Sequence, residues 1–588
     1  MRDLRETISE RLLPYVSQPV QYVGLEINAR RKDVASAKVA VVLAFPDAYT
    51  IGISHLGSEI LYKMLNDTDG VACDRTYCPR PDADKIMHDR DIPLFAWESR
   101  FAVRDFDILG FSLSYECCVT NVLTMLDLAG IALRSADRQQ DDPLVIAGDA
   151  LADTPECMAP FIDLFVVGDG EAPLAELVEL VRRAKSSGLS RQDMLLEAAR
   201  TLPSIYVPAA YEPSDENVGL LRPVFDGVEK VIHRAKLRSL SDSPAITAPL
   251  VPLAEAVHNR VAIEIMRGCP NACRFCQAGA TRLPVRTRSV DEICRIAREA
   301  LAKTGYSEIS LLSLSSSDHP KLGELIDRLN AEFSQEHVSI SLPSLRVDSQ
   351  LQHLPKLTST VRKAGLTIAA EAGSERLRRA IGKRITEQDM LDGVTAAWQA
   401  GWRRVKVYFM AGLPGETDTD IDAIFHLCHK LSETARDVLG RPGNISASVS
   451  WFIPKPHTPM QWCPMKPAEY YFAVRRRLKD LSRRSAVNFK FHHIERSILE
   501  CAIARGDRRT GDVIEAAWRA GARMDAWREH FDYDKWLAAF ARFELDPAEC
   551  AQRTIPLDEP TAWSHIVGPR GKDFLLAEYQ RMHDILGG

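Results

Sequence analysis

The stretch Ile265–Cys276, IMRGCPNACRFC, sets Cys269, Cys273 and Cys276 in a C-x3-C-x2-C spacing. An apolar β-type run leads into it, and the Gly, Pro and Asn around the first cysteine make it a loop. Three thiolates so spaced can ligate three irons of a [4Fe–4S] cluster and leave the fourth iron open. A zinc site ordinarily takes four protein ligands, and no second Cys or His pair follows closely. Free cysteine is often simply buried, though rarely three times within eight residues.

Outward from this loop, β-type runs at 261–267, 308–314, 338–342, 366–371, 404–410 and 446–453 alternate with helical patterns. Ser289 followed by Glu292 reads as a capping box, and Ile293, Ile296, Ala297, Ala300 and Leu301 form the apolar stripe of the helix it opens. Thr386 with Asp389 opens another in the same way. Six consecutive βα units predict a partial (β/α)6 TIM-like barrel over 258–487, with chemistry at the strand C-terminal ends.

Ahead of the barrel, Val39–Phe45, Ile108–Leu113, Leu144–Ala147 and Leu164–Val167 are uninterrupted apolar runs, as strands buried on both faces require. Helical patterns at Ile53–Leu65 and Val119–Leu128 lie between them, so 37–185 reads as a Rossmann-like doubly wound α/β domain. Residues 1–36 form an N-terminal extension with a short amphipathic helix. Residues 186–257 are a linker with a strand pair, ending in a segment whose three prolines forbid regular helix. Residues 488–588 read as a helical C-terminal region.

Composition narrows the class. The chain has 588 residues, which at about 150 per domain suggests three to four domains. With 46% hydrophobic and 26% charged residues it is an ordinary soluble globular sequence. A net charge of −6 gives no global attraction to nucleic acid. Thirteen cysteines, an odd number, argue against a disulfide framework. The N-terminus lacks an apolar signal region and no run reaches the ~18 apolar residues of a membrane span. The expected setting is cytoplasmic, with reduced thiols.

The cysteine motif, with Phe275 just before its third cysteine, resembles the radical SAM superfamily. The resemblance implies that S-adenosylmethionine (SAM) chelates the open iron and that Phe275 packs near its adenine. Glu371, in the EAGSE segment after the fourth strand, would meet the ribose or methionyl part; its ordinary reading is an ion pair or helix cap. Arg346, ending the third strand, would pair with the SAM carboxylate; its ordinary reading is a rim salt bridge. GLPGET at 412–417 looks like the superfamily's turn, whereas LSSSD at 314–318 departs from the GGE-like segment that would hold SAM's amino group.

A Rossmann-like domain before such a barrel resembles the cobalamin-binding subgroup. FPDAYTIGISHLGSEILYKMLN, DFDILGFSLSYE, LVIAG and VVGDGE are similar to an uncharacterised family within it, over most of the chain. The resemblance implies cobalamin beyond the strand ends, with Ser112 and Ser114 at its tail and Gly148 and Gly168 allowing close approach. The motif D-x-H-x-x-G is missing, since His55 stands in Ser54-His-Leu-Gly57, and the usual Gly-Gly is Gly148-Asp149. Cobalamin is therefore expected without a lower histidine from the protein. His55 reads as a helix N-terminal residue, and Cys117, Cys118, Cys463 and Cys501 as structural thiols.

The function so implied is reductive cleavage of SAM to a 5′-deoxyadenosyl radical, with cobalamin-dependent methyl transfer to an unactivated centre as the leading reaction. The alternatives are rearrangement or oxidation without cobalamin, RNA modification, and a non-enzymatic Fe–S protein. The RNA alternative rests on a basic segment, 474–497, extended by Arg282, Arg286 and Arg288. Trp451, Lys455 and His457 follow the sixth strand, where a substrate would lie. The expected partners are an electron donor such as flavodoxin or ferredoxin and a substrate that no motif names.

Overall fold

A computed structural model describes residues 1–214, 219–342 and 366–587. The N-terminal sheet contains β1 (Val39–Phe45), β2 (Val71–Tyr77), β3 (Ile108–Ser112), β4 (Leu144–Gly148), β5 (Leu164–Val166) and β6 (Ile205–Tyr206). They lie in the order 2-1-3-4-5-6, parallel through β5, with β6 antiparallel at the edge. All seven residues of β1 are buried, as its apolar run predicts. The order reverses between β1 and β3, where an open α/β sheet leaves a crevice beyond its strand ends.

Strand β2, VACDRTY, was not among the expected strands, because charged residues interrupt its apolar pattern. It is nonetheless wholly buried. Its Arg75 Nε donates to Glu98 at 2.7 Å, and its guanidinium lies 3.3 Å from Glu26 of the N-terminal extension. Ion pairing inside the fold thus replaces apolarity. In the linker, β7 (Tyr211–Pro213) and β8 (Leu221–Pro223) form the expected antiparallel pair.

The barrel region starts with β10 (Val261–Glu264), after a short linker strand β9 (Ile232–His233). Its chain then bends, and β11 (Met266–Arg267) pairs antiparallel with β12 (Arg286–Thr287), closing the base of the cysteine loop. The first expected strand is therefore split. Further on come β13 (Glu308–Leu312), β14 (Ser339–Ser341), β15 (Leu366–Glu371), β16 (Arg404–Ala411), β17 (Asn444–Trp451) and β18 (Val487–Phe491). Among the described residues these form two parallel sheets, β10-β13-β14 and β15-β16-β17-β18.

The last strand of these sheets, β18, lies in what was expected to be the start of the helical region. Its apolar residues alternate with Asn488 and Lys490, and pairing with β17 decides its conformation. In β15, β16 and β17 every second residue is buried. Val405, Val407 and Phe409 pack with Ile421, Ile424 and Leu427 of the helix Asp418–Glu433. On the opposite face Glu371 stays part-exposed and Tyr408 exposed.

Capping follows the sequence with one correction. Thr386 and Asp389 make the full reciprocal capping box. Ser289 caps Val290–Thr304 by accepting from the Glu292 N–H, but the Glu292 carboxylate turns to Arg288 and to the Ser241 hydroxyl. A stronger charge-assisted bond wins over the capping contact.

The C-terminal region clamps both halves. Val513, Ile514, Trp518, Trp536 and Phe540 join the core of the N-terminal sheet domain. A short strand β19 (Ile566–Val567) pairs with β9 in the linker. The last helix, Lys572–Leu586, then crosses the helix Glu375–Ala380 and reaches the cysteine loop. Among the described residues, no helix is long and apolar enough to cross a membrane.

Candidate functional site

The cysteine loop leaves β11 through Gly268, whose φ is +91°. A Cβ there would stand 2.6 Å from the Arg282 carbonyl oxygen and 2.8 Å from that of Pro284. Glycine is required because the two limbs of the loop approach backbone to backbone. All thirteen cysteines are free thiols. Nine are buried, Cys117, Cys118, Cys463 and Cys501 among them, as expected of structural thiols. Cys269, Cys273 and Cys276 are part-exposed.

The three thiols lie near enough to press on one another. Burial, and then the Cys276 and Cys269 thiolates, push Cys273 up to about 11, with Lys383 opposing. Among the described residues, no three His, Cys, Asp or Glu side chains are already drawn together to hold a metal ion. As a donor set, three soft, accessible thiols on one loop fit an iron–sulfur cluster. Sulfur already receives hydrogen bonds: Gly279 N–H donates to Cys276 Sγ at 3.3 Å and Asn271 Nδ2 to Cys269 Sγ at 3.4 Å. Asn271 also donates to Asp318 Oδ2 at 2.7 Å, so the SSSD segment after β13 braces this loop.

Phe275 packs with Ala372, Leu413 and Met582, between the loops after β15 and β16 and the last helix. Glu371 ends β15 at a register shift with φ +67°. Its carboxyl is raised by burial, against which Lys383, 3.6 Å away, pulls it down. The ion-pair reading of Glu371 therefore holds, at a position facing the thiols. Arg346 lies outside the described residues. In GLPGET, Gly412 N–H and the Tyr470 hydroxyl both donate to Glu416 Oε2 at 2.6 Å, and Asp420 accepts from Ser374, Arg376 and Thr417, tying this turn to the loop after β15.

Next to the cysteine loop, joined to it through Arg282 and Asp149, stand the loops beyond β1, β3 and β4. His55 caps the helix Leu56–Asp67. Its Nδ1 accepts from the Ser58 hydroxyl at 2.7 Å and the Ser58 N–H at 3.2 Å, which leaves the proton on Nε2, 3.6 Å from Asp149. Burial lowers the His55 pKa, so the ring is neutral. Nδ1 is thus engaged, while Nε2 faces Asp149. Ser112 Oγ lies 3.1 Å from Ser58 Oγ, and Ser114 Oγ donates to Asp149 at 2.6 Å.

One glycine expectation needs correction. Gly168 has φ +105°, but the atoms that exclude a side chain there are the backbone N and O of Ala235, 2.5 and 2.4 Å from an added Cβ. It serves packing of the linker, not approach of a ligand. Gly148 has no atom closer than 3.7 Å to an added Cβ. The demanding position is the next one, Asp149, at φ +75° and ψ −149°, a region favouring glycine.

Asp149 is the hinge of the site. Arg282, just after the short helix Gln277–Thr281 of the cysteine loop, donates to its Oδ1 at 2.7 Å. Burial raises the Asp149 carboxyl, but Arg282, His55 and Ser114 outweigh it and hold it below the usual carboxylate range. His55, Asp149 and Arg282 keep 29, 24 and 25% of their side-chain surface exposed. Lys455, after β17, reaches across to Glu116 beyond β3 and to Glu500 at 2.9 Å. Sequence reasoning missed Asp149, Lys383, Asn271 and Glu116. Lys383 pairs across a turn of the chain with Glu371, Asn271 reaches Asp318 47 residues on, and Glu116 meets Lys455 339 residues on, so no single local spacing reveals them.

The basic residues divide: Arg282, Arg286 and Arg288 are neutralised, whereas Arg475, Arg476, Lys479, Arg484 and Lys490 of the 474–497 segment are exposed. Arg286 and Arg288 are buried and paired with Asp169 and Glu292, and Arg282 is engaged with Asp149. Arg477 is held by Asp418 and Asp422. Trp451 is buried against Tyr471 and Phe491.

Residues 263–428 match the family model described as the radical SAM superfamily, and residues 57–208 match that of radical SAM proteins, N-terminal. An uncharacterized protein of Methanocaldococcus jannaschii is 26% identical over 508 residues, 85% of this chain and 96% of that protein. The ribosomal protein uS12 methylthiotransferase RimO of Elusimicrobium minutum is 25% identical over 37% of this chain and 52% of its own length. Among solved structures, the radical SAM methyltransferase TsrM of Kitasatospora setae, with cobalamin and a [4Fe–4S] cluster bound, covers 93% of this chain at 14% identity and a TM-score of 0.38.

Proposed function

Because the chain carries the radical SAM module over residues 263–428, and so is a radical SAM enzyme, we propose that it works with two cofactors facing one recess: a SAM-bound [4Fe–4S] cluster and cobalamin. The best reading of the reaction is methyl transfer to an unactivated centre. What carries the two-cofactor reading is the Arg282–Asp149 ion pair, which joins the cysteine loop directly to the strand ends of the N-terminal sheet. When bound, the cluster and SAM supply a 5′-deoxyadenosyl radical and the cobalamin a methyl carrier.

The chain's own residues bind, orient and shield. Cys269, Cys273 and Cys276 hold the cluster, and Asn271 and the Gly279 N–H brace their sulfurs. Phe275 offers an apolar wall, with Met582 of the last helix behind it, that keeps water from the reacting groups. Glu371 and Lys383 provide a charge pair for the polar parts of SAM. Ser112 and Ser114 stand where a corrin would meet the sheet. His55 stays neutral and capped, so the corrin gains no histidine ligand from that position. Lys455, Glu116 and Glu500 face the recess as substrate contacts. A small one-electron carrier of the flavodoxin or ferredoxin type serves as reductant.

The test uses the full chain, reconstituted anaerobically. Dithionite plus SAM should release 5′-deoxyadenosine from a protein holding about four irons, as one such cluster requires. Replacing the three cysteines with alanine should abolish both. An intact cluster that releases none refutes the radical reading. Added hydroxocobalamin should co-elute with the protein; if it does not, the reaction is radical chemistry without cobalamin, which Asp149 in a glycine's place would favour.

A further inference from the structure

We propose that the face of the β15–β18 sheet turned away from the helices anchors a phosphate group, and that the substrate of this enzyme is therefore a phosphorylated compound. This rests on the radical reading above for the reaction, whereas the anion site stands on the geometry of one sheet. Burial alternates along β15, β16 and β17, so every second residue lies on the face away from the helices. The register sets these residues side by side. Tyr408 of β16 pairs with Ser448 of β17, which pairs with Lys490 of β18. One step back along the strands, Lys406 stands beside Ser446, and Ser446 beside Asn488.

This face is open, and its cations are unpaired. Tyr408 keeps 41% of its surface exposed, and Lys406 and Lys490 are exposed as well. Among the described residues neither lysine has an ion-pair partner, and the hydroxyls of Tyr408 and Ser448 have no hydrogen-bond partner. Ser450, one step further on, is already committed to the Phe409 carbonyl at 3.1 Å. Other strand-borne cations of this chain are neutralised: Arg75 of β2 by Glu26 and Glu98, Arg286 of β12 by Asp169. Arg404, two residues before Lys406, adds a third unpaired positive group to the same face. Like charges on one face of a sheet destabilise it, and a bound anion would offset that cost.

The donors suit a phosphate. Along β16, Lys406 and Tyr408 are about 7 Å apart, and neighbouring strands lie about 4.8 Å apart, so two ammonium groups and two hydroxyls can meet one group from several directions. A carboxylate has two oxygens in one plane and is met best by the fork of a guanidinium. A phosphate monoester has three terminal oxygens and a charge of about −1.5 to −2, and it accepts from lysines as point charges and from hydroxyls alike.

Position makes the anchored compound a substrate. Met410, the next residue after Tyr408 on this face, packs against the same buried cluster as Phe275 of the cysteine loop. Tyr408 thus stands about 7 Å, and Lys406 about 13 Å, below that contact along the strand. Glu371 and Lys383, the charge pair proposed for SAM, stand at the end of β15, and the corrin belongs to the other sheet. A phosphate held between Tyr408 and the two lysines leaves the rest of its molecule to run up the strand. A carbon roughly 10 Å from the phosphorus would then reach the cysteine loop.

The experiment treats the full-length, reconstituted protein with pyridoxal 5′-phosphate, whose aldehyde forms a Schiff base with a lysine beside a phosphate site. Borohydride fixes the label, and peptide mass spectrometry locates it. Lys406 or Lys490 should be labelled severalfold faster than Lys303, an exposed lysine ending the helix Val290–Thr304. Inorganic phosphate should slow that labelling severalfold and leave Lys303 unaffected, whereas sodium chloride at the same ionic strength should protect neither. In Lys490→Gln, Lys406 should still react but lose its protection by phosphate, and Tyr408→Phe should weaken that protection. Both variants should hold as much iron as the wild type, since the changed side chains are exposed. Equal labelling of all three lysines, or equal protection by chloride, overturns the site and leaves solvated lysines. Protection by acetate as strong as that by phosphate overturns the phosphate assignment. Labelling requires neither SAM nor an electron. Protected lysines in a protein that releases no 5′-deoxyadenosine would therefore refute the radical reading, and the substrate assignment with it, while the anion site would stand.

Discussion

Gly268→Ala tests whether the cysteine loop is as tightly closed as its geometry indicates. A side chain at φ +91° costs about 1–2 kcal/mol in backbone conformation. The new Cβ would also meet two carbonyl oxygens, at 2.6 and 2.8 Å, and the Val285 Cα at 3.1 Å. These are all backbone atoms, so no rotamer change relieves them, and overpacking adds about 1–3 kcal/mol. The expected total is about 2–5 kcal/mol, spent on prising the Cys269 limb from the Arg282–Val285 limb. The control is Gly188→Ala, where φ is +68° and nothing lies within 4 Å of the added Cβ. It bears the conformational cost alone. Urea unfolding followed by tryptophan fluorescence, with iron analysis after reconstitution, reads both effects. Gly268→Ala should unfold at lower urea than Gly188→Ala and bind markedly less iron. Equal midpoints and full iron in both variants would refute the closed-loop account.

Three further perturbations read other parts of the structure. Glu416 is raised to about 7, chiefly by burial, so the native state holds a proton that the unfolded state has released above about 4.5. The stability it contributes is present below that lower value and is lost as pH rises through 7; Glu416→Gln should flatten the fall in urea midpoint between pH 5 and 8.5, and an unchanged slope would count against the burial argument. Arg75→Met strands Glu98 and Glu26, both buried, and should cost about 3–5 kcal/mol by chemical denaturation. Ending the chain before Lys572 removes Met582 and Tyr579 from Phe275 and leaves the buried Arg274 without Glu578; the visible absorbance of the cluster should bleach severalfold faster in air, and an unchanged rate would deny the last helix a shielding role.

How much of this was legible beforehand depended on whether the cause was local. The apolar run VAVVLAF cannot be satisfied except by burial on both faces, so β1 could be read directly. Thr386 and Asp389 cap within three residues of each other, and the structure keeps both halves of that box. Strand β2 escaped because Asp74 and Arg75 look like surface residues until Ser99 and Glu98 are brought against them. Strand β18 escaped because its conformation comes from the neighbouring β17. Gly168 was read as a ligand contact, although the atoms that demand it belong to Ala235.

Most of the elements, the order of two α/β units and the cysteine loop were legible in the chain alone, because periodicity, capping and ligand spacing act over a few residues. That the loop and the sheet edge meet became visible only in the folded chain. Arg282 and Asp149 are 133 residues apart, and their meeting depends on how two domains pack. The tertiary structure likewise decided which of the arginines are free, since a charge is silenced by whatever carboxylate folding brings within reach. The helix at the far C-terminus, unremarkable as a string of mixed charges, gains its place over Phe275 for the same reason. Short-range chemistry is written in spacing, whereas long-range partnership appears only when the chain has folded.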